Sequence, residues 1–190
     1  PPKVAKGEVA TESFFIEVAQ ETFKRADLHL RTKKGAWIKN QNKVMAAQAA
    51  KGLMIVPLTR TEDREAKYDW ILPIITYKLI FVTNDRAVDI SNIEALKSMP
   101  VCAFRESPAE YKLKELGFEK IHARVHEQKC FHGLKKKTEK IMLAHGKISA
   151  AKGYKLVRGN SEKLIYGPEF SEETIYLAST KGAVSDDDKA

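Results

Sequence analysis

The stretch KGLMIVPLTRTEDREAKYDWILPIITYKLIFV, residues 51–82, decides how the chain reads. Gly52 closes a helical stretch that the spacing predicts from about Asn40 to Lys51, as a residue tolerant of a left-handed backbone should. Leu53-Met54-Ile55-Val56 is a short apolar run with no polar face. Placed after a helix and a glycine, it predicts a buried parallel strand. A polar loop, 57–69, follows, and Ile71 to Val82 makes a second apolar crossing.

The pattern continues on both sides. Upstream, Phe15, Val18, Ala19, Thr22, Phe23 and Ala26 recur at helical spacing, with Glu17, Gln20, Glu21, Lys24 and Arg25 on the other face. A short strand is expected at Leu28 to Arg31, and Trp37 stands just before the second helix. Downstream, Ser91 and Glu94 form a capping box. Val101 to Phe104 reads as a strand. Ser107-Pro108-Ala109-Glu110 has a cap residue, proline at the first helical position and glutamate at the third, and Gly117 stops that helix. A strand at about Lys120 to Val125 comes next, then a longer helix to about Ala144 stopped by Gly146, a strand at Ile148, and a last strand at Ile175 to Ser179. The acidic run 186–188 reads as solvated. Strands alternating with helices predict an α/β fold with mainly parallel sheets.

Composition narrows the function classes. Of 190 residues, 43% are hydrophobic and 31% charged, and the apolar runs 53–56 and 79–82 fall far short of the ~20 residues of a membrane helix. The net charge is +8, which fits either a basic nucleic-acid-binding protein or a solvated lysine coat. The charge is dispersed, and the one dense cluster, Lys135-Lys136-Lys137, lacks the interleaved aromatic platform of single-strand binders. Cys102 and Cys130 lack CxxC spacing; they either pair in an oxidising compartment or stay as two buried thiols. His29, His122, His126, His132 and His145 show no metal-ligand spacing and read as surface or satisfied core residues. No phosphate loop, nucleophile elbow or paired catalytic motif is present, so neither catalysis nor a cofactor or metal is expected.

The order of these signals resembles the amino-acid-type, family-three group of periplasmic substrate-binding proteins of ABC transporters. The resemblance rests on Thr61-Glu62-Asp63-Arg64, Asp69-Trp70 and Pro73 in the first stretch. It continues in Ala95-Leu96-Lys97, Val101-Cys102-Ala103, Ser107 and Leu116-Gly117-Phe118, then in MLAHGKISA at 142–150 and IYLASTK at 175–181. It covers most of the chain but departs from the pattern at both ends, where the family's first strand and last helices are missing: either the chain is trimmed, with a signal peptide removed, or the first lobe is incomplete.

The resemblance further implies a bilobed fold, two mainly parallel sheets joined by crossing strands. Lobe 1 would be 1–76, lobe 2 77–175, and 176–190 the return strand and start of the lobe 1 C-terminal part. It implies a periplasmic or extracytoplasmic, non-catalytic, monomeric binding protein that holds a small organic solute, carboxylate-bearing, in an inter-lobe cleft. Its partners would be that ligand and an ABC permease or a sensor membrane protein, without nucleic acid and without membrane insertion. Arg64 matches the family's carboxylate-binding arginine; a planar guanidinium suits that task through two parallel hydrogen bonds. Thr59 and Thr61 would offer hydroxyls and N–H groups to the same anion. Ser107, at a helix start, matches a small polar ligand contact, with Arg105 beside it, and Glu106 replaces a glycine of the pattern. Ser149 stands where the family has the aspartate that holds an ammonium, and serine brings no such charge. Trp37 would wall the cleft or, on the simpler reading, serve as a plain core tryptophan.

Overall fold

The structure is a computed structural model and describes residues 10–28 and 30–184. The expectations for His29 and for the acidic run 186–188 lie outside the described residues. The chain divides into two compact units, residues 1–76 with 174–190, and residues 77–173.

In the first unit, α1 (Ala10–Arg25) buries Phe15 and Ala19 and packs against β1 (Met54–Thr59). The strand expected at Leu28 to Arg31 is not formed over the described residues there. Leu28 instead bonds back through its N–H to the Phe23 carbonyl and leaves its side chain exposed. Helix α2 (Trp37–Met45) is shorter than expected. Val44 is buried but Met45 is not, so a further turn would bury nothing, and residues Ala49–Lys51 form a separate 3-10 turn closed by Gly52 at φ +52°. That turn delivers β1, which buries Ile55 and Leu58.

Strand β1 runs on through the cis Val56–Pro57 bond to Thr59. It was expected to be parallel, yet it pairs antiparallel with β6 (Ile165–Thr180), from Met54 opposite Ser179 to Thr59 opposite Ile175. Its register shifts between Ile55 and Leu58, where Pro57 has no N–H to give the ladder. The reason for the antiparallel pairing is that β1's neighbour is the strand that brings the chain back. Strand β2 (Tyr68–Thr83) leaves this unit at Thr76, and β6 re-enters it at Thr174. The strands follow the order β1-β6-β2 here.

The second unit has the order β2-β5-β3-β4. Strands β3 (Val101–Phe104), β4 (Ile121–Arg124) and β5 (Ile141–Ala144) are mutually parallel, and β2 joins β5 antiparallel through Ile80 opposite Ala144. The parallel pairing predicted for the chain is thus found in this unit. Helices α3 (Ile93–Leu96) and α4 (Pro108–Glu115) cover one face over Leu79, Phe81, Val101, Ala103, Ile141 and Leu143. Helices α5 (Glu127–Lys136) and α6 (Lys147–Leu156) cover the other over Ile80, Val82, Cys102, Met142 and Ala144. Period-two alternation along β2 feeds both layers. A disulfide between Cys102 and Cys130 fastens α5 to β3.

Three expectations for this unit change. The helix predicted to run to Ala144 ends at Lys136, because Ile141-Met142-Leu143-Ala144 is buried on every side, as only an interior strand can be. Ile148 lies in α6, not in a strand, and is 74% exposed. The cap of α3 is Asn92, whose side chain accepts from the Ala95 N–H, while Ser91 donates to Asp89 instead.

Candidate functional site

Arg64 closes the 3-10 turn Glu62–Arg64, which begins three residues beyond the carboxyl end of β1. The turn forms because Thr61 is extended and its hydroxyl donates to Asp63, while the Arg64 N–H returns to the Thr61 carbonyl. Arg64 is only 1% exposed. Its guanidinium donates to the Thr59 carbonyl at 3.0 Å and to Gln41 Oε1 at 3.4 Å, and it lies over the Trp37 ring at 5.3 Å. Trp37, the first residue of α2, donates through Nε1 to the Pro57 carbonyl. So Arg64, Thr59, Trp37 and Thr61 are brought together in the first unit, and Trp37, partly buried, packs against that unit's core.

In the second unit, Ser107 caps the start of α4 but is buried. Its hydroxyl donates to the Phe104 carbonyl at 2.7 Å and accepts no bond from the helix N–H groups. The N–H of Glu106 is taken by Glu110 Oε2 at 2.6 Å. Arg105 extends β3, its N–H bonded to the Arg124 carbonyl, and its side chain is exposed. Ser149 lies in the first turn of α6, half-buried, in a turn that carries no acidic residue. The starts of α4, α5 and α6 all follow the carboxyl ends of parallel strands, the edge where α/β sheets bind ligands.

Reading the sequence did not single out Arg60, Gln41, Tyr68, Glu65 or Tyr176. Arg60 is stretched over Trp70 and Tyr176, 5.6 and 5.5 Å from the ring centroids, and its guanidinium grips the Glu65 carboxylate at 2.8 and 2.5 Å. The hydrogen bonds to Glu65 and to Tyr176 raise the Arg60 pKa further, and Arg60 in turn lowers that of Glu65. Gln41 was legible in principle, one helical turn after Trp37. Burial, opposed by the Arg64 charge, pushes the Tyr68 phenol up. Tyr68 packs on Trp70 at 5.8 Å.

Two of the histidines, His122 and His145, and one lysine of the dense cluster, Lys135, have local partners. His122 and Arg124 both meet the buried carboxylate of Glu139, and His145 meets Glu127. Lys135, Lys136 and Lys137 are exposed in the last turn and cap of α5, where cations suit the helix dipole, and Lys135 donates to the Val157 carbonyl. Among the described residues, no group of three or more His, Cys, Asp and Glu side chains could hold a metal ion. No described helix is long and apolar enough to cross a membrane.

No protein-family model and no curated protein matches the sequence. Solved structures do. The arginine-bound form of truncated ArgBP from T. maritima is 16% identical, with a TM-score of 0.73 over 88% of this chain and 77% of that one. The ancestral amino acid-binding protein AncCDT-1, a precursor of cyclohexadienyl dehydratase, is 19% identical, with a TM-score of 0.71 over 89% and 72%. A histidine kinase sensor domain with similarity to periplasmic binding proteins is 13% identical, with a TM-score of 0.73 over 89% and 72%. With these likenesses over nearly nine-tenths of its length, the chain has the α/β fold of the amino-acid-type periplasmic binding proteins.

Proposed function

We propose that this chain binds a small carboxylate-bearing solute outside the cytoplasm, without catalysis, for uptake through an ABC permease or for sensing. The observation that carries the reading is the Thr59–Arg64 turn. A guanidinium is held at the carboxyl end of a strand by two neutral acceptors and an aromatic ring, so its plane is fixed before any anion arrives. Thr61 sits in the same turn. In the second unit, Arg105, Ser107 and Ser149 are the candidate contacts, all at the carboxyl edge of its parallel strands. The arginine-bound neighbour supports small-solute binding, and the histidine kinase sensor domain is what supports keeping sensing as one of the two roles. The Cys102–Cys130 disulfide supports an oxidising, extracytoplasmic location.

A thermal-shift screen of amino acids, dicarboxylates and keto acids tests this, since a bound solute raises stability by mass action. A carboxylate should give a clear rise. Standard α-amino acids should give little, because the first turn of α6 presents Ser149 and no carboxylate to an ammonium. Arg64→Lys keeps the charge but loses the planar fork, and should weaken binding of that carboxylate by about 30-fold, or roughly 2 kcal/mol, in calorimetry. Equal affinity in Arg64→Lys and the parent would remove Arg64 from the site. A screen in which no carboxylate stabilises the protein would end the reading.

A further inference from the structure

We propose that Arg60 is a positioning residue for Arg64: it clamps the intervening turn onto β2 and β6 and so fixes where the Arg64 guanidinium sits. This inference rests on the reading of Arg64 as the anion partner. The turn at Glu62–Arg64 is only one turn long, and its own hydrogen bonds are three backbone contacts, Arg64 to Thr61, Glu65 to Glu62 and Lys67 to Arg64, and the Thr61 hydroxyl to Asp63. Such a turn has little stability of its own.

What closes it is the pair at its two ends. Arg60 precedes the turn and Glu65 follows it, and the bidentate bond between them spans the whole segment. A bidentate pair fixes orientation as well as distance. The Arg60 guanidinium then lies over Trp70 on β2 and Tyr176 on β6, whose rings meet edge to face at 5.5 Å. The Arg60 N–H adds a bond to the Thr174 carbonyl of β6. One side chain therefore ties the turn to itself and to both strands along which the chain leaves and re-enters this unit. Arg60 is itself committed to Glu65 and two rings, so its role is to hold the turn while Arg64 meets the anion.

The two tryptophans of the chain report the two arginines separately, since Arg60 lies over Trp70 and Arg64 over Trp37. The protein labelled with 5-fluorotryptophan should give two fluorine resonances, assigned with Trp37→Phe. Without any solute, Arg60→Met and Glu65→Gln should each move the Trp37 resonance as well as the Trp70 one, with Arg64→Met as the reference for a vacated Trp37 face. The amides of Arg64, Glu65 and Lys67 should exchange about tenfold faster with deuterium, while those of α2 and β1 keep the parent rates. A Trp37 resonance unchanged in both variants would overturn the proposal. So would uniform faster exchange across α2 and β1, which would make Arg60 a general stabiliser. Because no solute is present, a failed solute screen leaves this result standing, and the reverse also holds.

Discussion

Glu106 holds a left-handed backbone, φ +57°, in the turn between β3 and α4. A side chain there crowds the following carbonyl, and glycine alone adopts the conformation without that cost. Glu106→Gly should raise stability by about 0.5 to 1 kcal/mol in urea unfolding, and a loss would show that the glutamate's own contacts outweigh the strain. Asp85 carries an acid sensitivity. Its carboxylate accepts from Lys140 Nζ at 2.7 Å and from the Ala87 N–H at 3.1 Å, and the Lys140 bond is the main cause that holds its pKa below the usual range. A carboxyl with a depressed folded pKa contributes stability that is complete above its unfolded pKa and is lost as pH falls through the folded one. The parent should therefore lose more stability than Asp85→Asn between neutral pH and about pH 3. Parallel urea midpoints for the two proteins across that range would refute this.

At the scale of elements, the Cys102–Cys130 bond joins a strand to the helix that covers it, and closes a loop of 28 residues. Cross-linking a loop of that length removes entropy from the unfolded chain worth about 3.6 kcal/mol in the chain-entropy picture. Cys102→Ala with Cys130→Ala should cost at least most of that in urea unfolding, since both side chains are also fully buried. A loss below about 1 kcal/mol would show that the bond adds nothing to the packing it crosses. The pairing was open in the sequence, because 28 residues of spacing do not say that β3 and α5 face each other. Elements whose cues are local were legible: the proline start of α4 and the apolar run that became β1. Those decided by distant neighbours were not. IMLA at 141–144 is interior only because β2 and β3 flank it, and β1 is antiparallel only because its partner lies over 100 residues on. The same holds for the site. Arg64 and the threonines share one local motif, whereas Tyr176 reaches Arg60 only through strand pairing.

The two units differ in how much core each carries. Among the described residues, the second unit has two buried apolar clusters, of twelve and eleven residues, one on each face of its sheet. The first unit has one, of five. Each fully buried large apolar side chain contributes about 1.5 to 3 kcal/mol, so the difference is large beside a typical domain stability. The second unit is also a continuous segment, 77–173, with the disulfide inside it. Its polar ties are internal as well. Thr83 donates to the Lys140 carbonyl, and Asn84 donates to the Leu134 carbonyl and the Tyr154 hydroxyl, which lock the end of β2 onto β5, α5 and α6. Gly153 brings α6 against Phe131 of α5 so closely that a methyl group there would overlap the ring. A segment with its own core, its own cross-link and few dependences on the rest should fold alone. The peptide 77–173, oxidised, should unfold in one cooperative urea transition and show dispersed amide resonances. In the full chain, amides of β3 and β5 should be the slowest to exchange, and those of α1 and α2 should open at lower free energy. A peptide 77–173 that stays unfolded in water, or equal protection of α2 and β3 in the full chain, would mean that the smaller core of the first unit is a condition for the larger one.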